Sequence, residues 1–287
     1  MKKLLFIMDT FPLGGISKSL LALFNEIEGQ YDIDFLLMQK EGLFVPLIPK
    51  SINVLPCVLE PEFRNPHPKN IICNFGTMKF SRWLLWLEYS MRCTLSKLTG
   101  GLKKMVCTMD VFIGKHSRPL GRHYDAAIAY QGGRCIYYLV ENVNADIKIG
   151  YVHSNYSVNQ TDYMLKPSDI KYFPQLDYIV TISQICLNSL YNEFPTLKDR
   201  CLMIENICSP KMIKVMAQKG DTYEDNFSGV RLVSMGRFDI HIKGMDIAIK
   251  ACRILKSAGI YFHWYWLGEG EQRNQLETMI REAGVQD

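Results

Sequence analysis

The sequence predicts an α/β fold of two Rossmann-like domains with parallel sheets, the second of them incomplete. Three observations predict it. Strand-like runs alternate with helix-period segments along all 287 residues. Those runs are continuously apolar, the mark of strands buried on both faces of a parallel sheet. A polar stretch after residue 205 is followed by a restart of the same alternation.

The first strand is "KKLLFIMD". Its basic start and apolar core invite comparison with a leader segment. The run ends at Asp9, however, and no small-residue cleavage site follows, so a buried strand is expected. After a Gly-rich turn, "ISKSLLALFNEI" places Ile16, Leu20, Leu23, Phe24 and Ile27 at helical spacing. "YDIDFLLMQ" and "INVLPCV" are the next strands. From Lys79 to Leu98 a helix is expected, with Phe80, Trp83, Leu84, Leu87, Met91, Leu95 and Leu98 on one face and Lys79, Arg82, Arg92 and Lys97 off it. Strand "YDAAIAYQ", helix "GRCIYYLVENV", strands "DIKIGYVH" and "LDYIVTIS", helix "QICLNSLYNEF" and strand "CLMIEN" complete a first domain over 1–205.

The stretch "SPKMIKVMAQKGDTYEDNFSG" is polar and irregular, which suits an interdomain linker over 206–229. Residues 230–287 then offer strand "VRLVSMGR", helix "MDIAIKACRILKSAG", strand "YFHWYWLG" and helix "EQRNQLETMIREAG". Two strands and two helices fall short of a nucleotide-binding domain, which takes about 100–150 residues. The second domain is therefore expected to be truncated, with one sheet edge unpaired.

Composition narrows the class. With 48% hydrophobic and 22% charged residues the chain is globular rather than disordered. No segment approaches the roughly 18–20 apolar residues of a membrane span. Nine cysteines show no C-x-x-C pair and no Cys/His cluster, which points to reduced thiols, a cytoplasmic setting and no structural zinc or other metal. Net charge is +4 but uneven: nine Lys/Arg stand against two Asp/Glu between Thr77 and His123, leaving −3 elsewhere. The basic amphipathic stretch 79–104 has two readings, a helix resting on an anionic membrane or a core helix with a solvated back. No nucleic-acid module is present, so no nucleic-acid partner is expected.

Three places can carry chemistry. Gly14 and Gly15 sit between the first strand and first helix, where they either let a phosphate approach the helix N-terminus or simply make a tight turn. His153 stands at the carboxyl end of a strand, where open α/β sheets bind ligands; it can donate to a sugar hydroxyl or phosphate, or be a satisfied structural residue. In "SMGRFDIHIKGMDIAIK", Arg237 and Lys243 bracket the loop between a strand and a helix. Two cations there suit a diphosphate, an Arg forking onto two oxygens and a Lys supplying a compact charge; alone they would pass for solvated loop residues.

The Gly14–Gly15 loop, "YVHSNY", "DYIVTISQ", "MIEN", "MGRFDIHIKGMDIAI" and "WLGEGEQRNQLE" together resemble the GT-B retaining glycosyltransferases of family 4, most strongly from Val230 to Asp287. The resemblance implies a GT-B fold and transfer of a sugar from a nucleotide-sugar donor to a glycan or lipid-linked acceptor in surface polysaccharide synthesis. It also implies no cofactor and no required metal. Arg237 and Lys243 would grip the donor diphosphate, His153 would contact the transferring sugar or the attacking region, Gly15 would lie under the donor phosphate, and Gly14 beside it would also bind the donor. Gly268 and Gly270 would belong to the turn near the nucleotide. The setting implied is cytoplasmic, peripheral on the inner face of the cell membrane. Glu269 and Glu277 have the spacing of the family's Glu-x7-Glu motif but lack its Gly-rich strand-to-helix context, and are read as a coincidence. A catalytically incomplete binding subunit and a GT-B sugar-nucleotide epimerase are the rival functions.

Overall fold

The structure is a computed structural model that describes residues 1–59, 80–159, 166–218, 223 and 225–286. Lys79 and Asp287 lie outside the described residues. The chain divides into two compact units, Met1–Ala217 and Gln218–Asp287.

The first unit is built on a seven-stranded sheet in which every pairing is parallel. Its strands are β1 (Lys3–Met8), β2 (Asp32–Leu37), β3 (Asn53–Val54), β4 (His123–Ala129), β5 (Asn144–Val152), β6 (Tyr178–Thr181) and β7 (Cys201–Met203), in the spatial order 3-2-1-4-5-6-7. This is the doubly wound order, and its direction reverses between β1 and β4. Continuous apolar runs become central strands because both faces are covered. One layer packs Phe6, Phe24 and Phe35 edge to face, with ring centroids 5.1–5.2 Å apart. The other gathers Ile7, Ile136, Tyr137 and Leu190, all fully buried. The expected strand "INVLPCV" shrinks to the two residues of β3, an edge strand; Pro56 follows closely and has no N–H for a ladder.

Helices α1 (Gly15–Ile27), α2 (Phe80–His116), α3 (Arg134–Asn142), α4 (Tyr156–Asn159), α5 (Lys166–Tyr172) and α6 (Gln184–Glu193) connect the strands. Ser183 caps α6 by accepting from the Cys186 N–H. The stretch read as an irregular linker in fact begins with a helix, α7 (Pro210–Ala217). Proline suits a first helical position, and Ile213 N–H closes the first turn onto Ser209.

The basic segment departs further from its sequence reading. α2 breaks at Gly100 and Gly101, the latter at φ 72°, and folds back as a helical hairpin. Ser96 and Thr108 hydrogen-bond across the arms at 2.8 Å, and Tyr89 meets Phe112 at 5.3 Å. The inner arm, 102–116, was not legible as a separate helix because its apolar residues run nearly continuously. The face expected to be apolar exists, but Leu84, Leu87, Met91, Leu95 and Leu98 point to solvent. Leu85, Trp86, Tyr89 and Cys93 supply the buried side instead, so the core-helix reading of that face does not hold.

The second unit pairs β8 (Val230–Met235) with β9 (Phe262–Leu267) in parallel, linked through α8 (Met245–Ser257) and followed by α9 (Arg273–Glu282). Its core is small: Phe238, Met245, Ile249 and Leu276, with Trp266 against them.

Candidate functional site

In each unit, chain leaving a strand's carboxyl end turns into a helix, and the residues singled out above sit at those turns. In the first unit, β1 runs out through Asp9 to Gly14, which precedes α1 with extended backbone. Neither glycine is demanded by the chain itself: both avoid the left-handed region, and a Cβ on either would meet nothing within 4 Å. The helix end they introduce has no side-chain cap and no acidic residue in its first turn. Open space beside uncapped amides at a positive dipole end is suited to an anion.

His153, just beyond β5, places Nε2 2.9 Å from the Tyr130 carbonyl oxygen. A carbonyl only accepts, so Nε2 carries the proton and donates. Burial holds the imidazole below its ordinary pKa, against the carbonyl's opposing pull, and the ring is neutral near pH 7. Nδ1 is left as a bare acceptor, buried and without a partner among the described residues. The sequence reading expected a donor. The ring can instead receive a hydrogen bond from a hydroxyl. Tyr151 stacks on it at 5.3 Å and Tyr130 packs at 5.0 Å, which fixes its orientation.

A polar cluster that the sequence reading passed over lies at the carboxyl ends of β1 and β4. Arg134, at the start of α3, bonds Asp110 through Nε at 2.9 Å and Nη2 at 2.8 Å, and reaches Asp9 at 3.5 Å. The Asp9 N–H donates to the Gln131 side chain at 3.2 Å, and the Gln39 amide approaches the Asp9 carboxylate at 3.4 Å. Burial pushes the Asp110 carboxyl upward, while Arg134 pulls it back. The signal was present in "YQGGR", a second Gly-Gly pair after an apolar strand. Nearby, Asp169 is buried between two phenols, Tyr137 at 2.9 Å and Tyr156 at 2.7 Å. Burial raises its carboxyl to about 7 even though both hydroxyls favour the anion.

In the second unit, a cleft opens at the carboxyl ends of β8 and β9, lined by Ser234, Gly236, Phe238, Lys243 and Trp266 among others. Lys243 lies two residues before α8, next to the N-cap Gly244, and no described residue pairs with its ammonium. Its chain runs past Gly236, where even a Cβ would sit 3.7 Å from it. Arg237, in the same loop, is largely exposed and extends to Asp239 at 3.5 Å rather than lining the cleft. Such a surface pair is worth at most about 1 kcal/mol, so the guanidinium is cheaply redirected to a stronger anion.

Gly268 and Gly270 have a different origin from Gly14 and Gly15. A Cβ on Gly268 would lie 1.9 Å from the Gly236 carbonyl oxygen, and one on Gly270 would lie 2.4 Å from that of Phe238. They let the β9 loop close onto the β8 loop and so shape the cleft. Arg273 bonds both Glu269 and Glu277 at 3.1 Å on the exposed face leading into α9, an ordinary i,i+4 ladder. Among the described residues no cluster of His, Cys, Asp and Glu is arranged to hold a metal ion.

No protein-family model matches the chain. Over 58 residues it is 38% identical to the amylovoran biosynthesis glycosyltransferase AmsK of Erwinia amylovora, which covers 20% of this chain and 14% of that protein's length. The fold is similar to that of HepE from Anabaena in complex with UDP-glucose: TM-score 0.60, 13% identity, 100% of this chain and 67% of that one. It is also similar to a TarM variant of S. aureus in complex with fondaparinux, alpha-GlcNAc-glycerol and UDP: TM-score 0.57, 12% identity, 100% and 76%. A UDP-forming α,α-trehalose-phosphate synthase from Burkholderia vietnamiensis aligns with TM-score 0.58 and 10% identity over 99% and 68%. The chain thus has an α/β architecture matching GT-B glycosyltransferase folds, with a small second parallel sheet.

Proposed function

We propose that this protein is a glycosyltransferase that moves a sugar from a nucleotide-sugar donor to a glycan or lipid-linked acceptor. We also propose that it belongs to the retaining GT-B enzymes of family 4. The observation that carries this reading is Lys243, an ammonium unpaired among the described residues, set into a cleft at the carboxyl ends of two parallel strands with Arg237 in the same loop. Glycosyl transfer leaves negative charge on the departing diphosphate, and preorganised cations aimed at it lower the barrier without a metal. In this reading Arg237 releases Asp239 and forks onto the phosphate, while Lys243 supplies the fixed charge. The open Gly14–Gly15 turn takes donor phosphate, and His153, neutral with Nδ1 as acceptor, receives a sugar hydroxyl. UDP and UDP-glucose in the structural neighbours make a uridine donor the first to test. The short match to an amylovoran biosynthesis glycosyltransferase favours a role in polysaccharide synthesis; the surface product and the cytoplasmic, membrane-peripheral setting rest on the family resemblance alone.

Titration calorimetry with UDP tests the clamp. Lys243→Ala and Arg237→Ala should each weaken binding by about 1.5–3 kcal/mol, the worth of a charge-assisted contact. Unchanged affinity in both variants removes the assignment. Released UDP, measured with and without a glycan or lipid-linked acceptor, then separates turnover from binding alone.

A further inference from the structure

One carboxyl group stands inside the first unit with no counter-charge. Asp169, on α5, is 2% exposed, and each of its oxygens receives one hydroxyl: Tyr137 of α3 at 2.9 Å and Tyr156 of α4 at 2.7 Å. The groups around it are anionic or neutral. Asp110 and Cys107 face it from α2, with Asp110 already held by Arg134 and the Cys107 thiol pushed up to about 11 by burial. On its own helix Lys171 turns to Glu141, as does the Tyr172 hydroxyl, and Glu193 of α6 acts on Tyr156. Among the described residues no cation bonds the carboxylate. An anion so buried is held by its two hydroxyl donors alone.

The two tyrosines are not equivalent. Tyr137 is fully buried in the nine-residue α3, against Tyr172 at 4.6 Å. Tyr156 opens the single turn of α4, three residues after His153. Apart from Phe173 and Phe194 around the Tyr156 ring, α4 is tied by Ser157, whose N–H donates to Ser189 Oγ at 2.8 Å. As an anion, Asp169 accepts from both phenols. Once protonated it is a donor as well: its hydroxyl gives to one phenol oxygen, and that phenol's own hydrogen loses its acceptor. The loss falls on the shorter helix, which has less to hold it. We propose that Asp169 is a positioning residue for His153: as a carboxylate it pins α4 through Tyr156, and on taking a proton it releases that helix and the turn leading back to His153. The consequence for sugar transfer rests on the transferase reading, in which His153 receives a sugar hydroxyl; the clamp itself does not.

Native-state hydrogen exchange over 153–159 in the full chain, corrected for the intrinsic pH dependence of amide exchange, tests the clamp. Protection should fall about five-fold between about pH 8 and about pH 5.5, and should be low at both in Asp169→Asn and in the milder Tyr156→Phe. In protein labelled at its histidine carbons, the His153 ring resonance should pass through an inflection at about pH 7 that both substitutions abolish. That inflection is separate from the ring's own titration, which burial shifts lower. UDP release should rise through the same pH in the native protein and not in Asp169→Asn. Protection equal at both pH values, a His153 inflection that survives Asp169→Asn, or UDP release flat with pH in the native protein would each overturn the proposal. No UDP release at any pH, with exchange and resonance behaving as stated, would remove the transferase reading and leave the clamp standing.

Discussion

The two units repeat one motif, parallel strands joined through a helix, with opposite outcomes for burial. In the first, β1 and β2 bury four and five of their six residues, because other strands and two helical layers surround them. In the second, no residue of β8 or β9 is fully buried, and Met235 and Val233 stand 81% and 49% exposed. The same apolar strand sequence is therefore core in one sheet and open surface in the other. Strand count decides it, since a two-stranded sheet has two edges and little to cover its faces. The cation-bearing cleft nevertheless belongs to the smaller unit, whose local backbone packing is as demanding as anything in the larger one.

The sharpest way to break this contrast is to cut into each core. Phe35→Ala, fully buried among Phe11 and Phe24, should cost about 3–5 kcal/mol, whereas Leu276→Ala in the four-residue core should cost about 2–3 kcal/mol. Urea unfolding followed by unit-specific probes should show each variant shifting its own unit's transition. A single merged transition shifted by both would mean that the units fold as one.

Asp169 gives the first unit a pH signature opposite in sign to that of Asp225 in the second, whose carboxyl Arg231 and Tyr265 hold below the ordinary range. The folded Asp169 pKa of about 7 exceeds the ordinary carboxylate value, so the native state keeps a proton that the unfolded chain releases. The stability it contributes is complete below about pH 4, declines as pH rises and is gone above about pH 7. The stability difference between the native protein and Asp169→Asn should therefore shrink by roughly 3–4 kcal/mol across that window. A difference flat with pH would show that Asp169 stays ionised between its two tyrosines.

The glycines sharpen the comparison at finer scale. Gly268→Ala drives a methyl into the Gly236 carbonyl and should cost about 2–3 kcal/mol by thermal melting. Gly14→Ala meets open space and should change stability by no more than about 0.5 kcal/mol, while lowering UDP affinity if donor phosphate lies against that turn. Equal destabilisation by both would erase the distinction between packing glycines and ligand glycines. The smallest effect belongs to Glu269→Gln, whose exposed pair with Arg273 should be worth less than about 0.5 kcal/mol. A large loss of activity in that variant would restore Glu269 to the site.

Much of the architecture was legible because burial on both sheet faces writes itself as continuous apolar strands, and helices as a 3.6-residue period. Those two periods are local, and they placed β1, β2, α1, α3, β5, β8, α8 and β9 in the chain. Gly14, Gly15, His153, Arg237 and Lys243 were legible as positions at strand ends for the same reason. What each does there was not. Only the fold shows that the His153 Nε2–H donates to the Tyr130 carbonyl oxygen, that Arg237 leans on Asp239, and that Gly268 and Gly270 answer to the backbone of the neighbouring loop. The Asp110–Arg134–Asp9 cluster joins residues more than a hundred positions apart, and no spacing rule announces it. The outer arm of α2 was readable as amphipathic, but with apolar residues on two sides a sequence cannot say which side the core will take. Packing chose Tyr89 and Cys93 because the inner arm, reversed at Gly100–Gly101, arrives on their side, and it left the leucine stripe to the solvent.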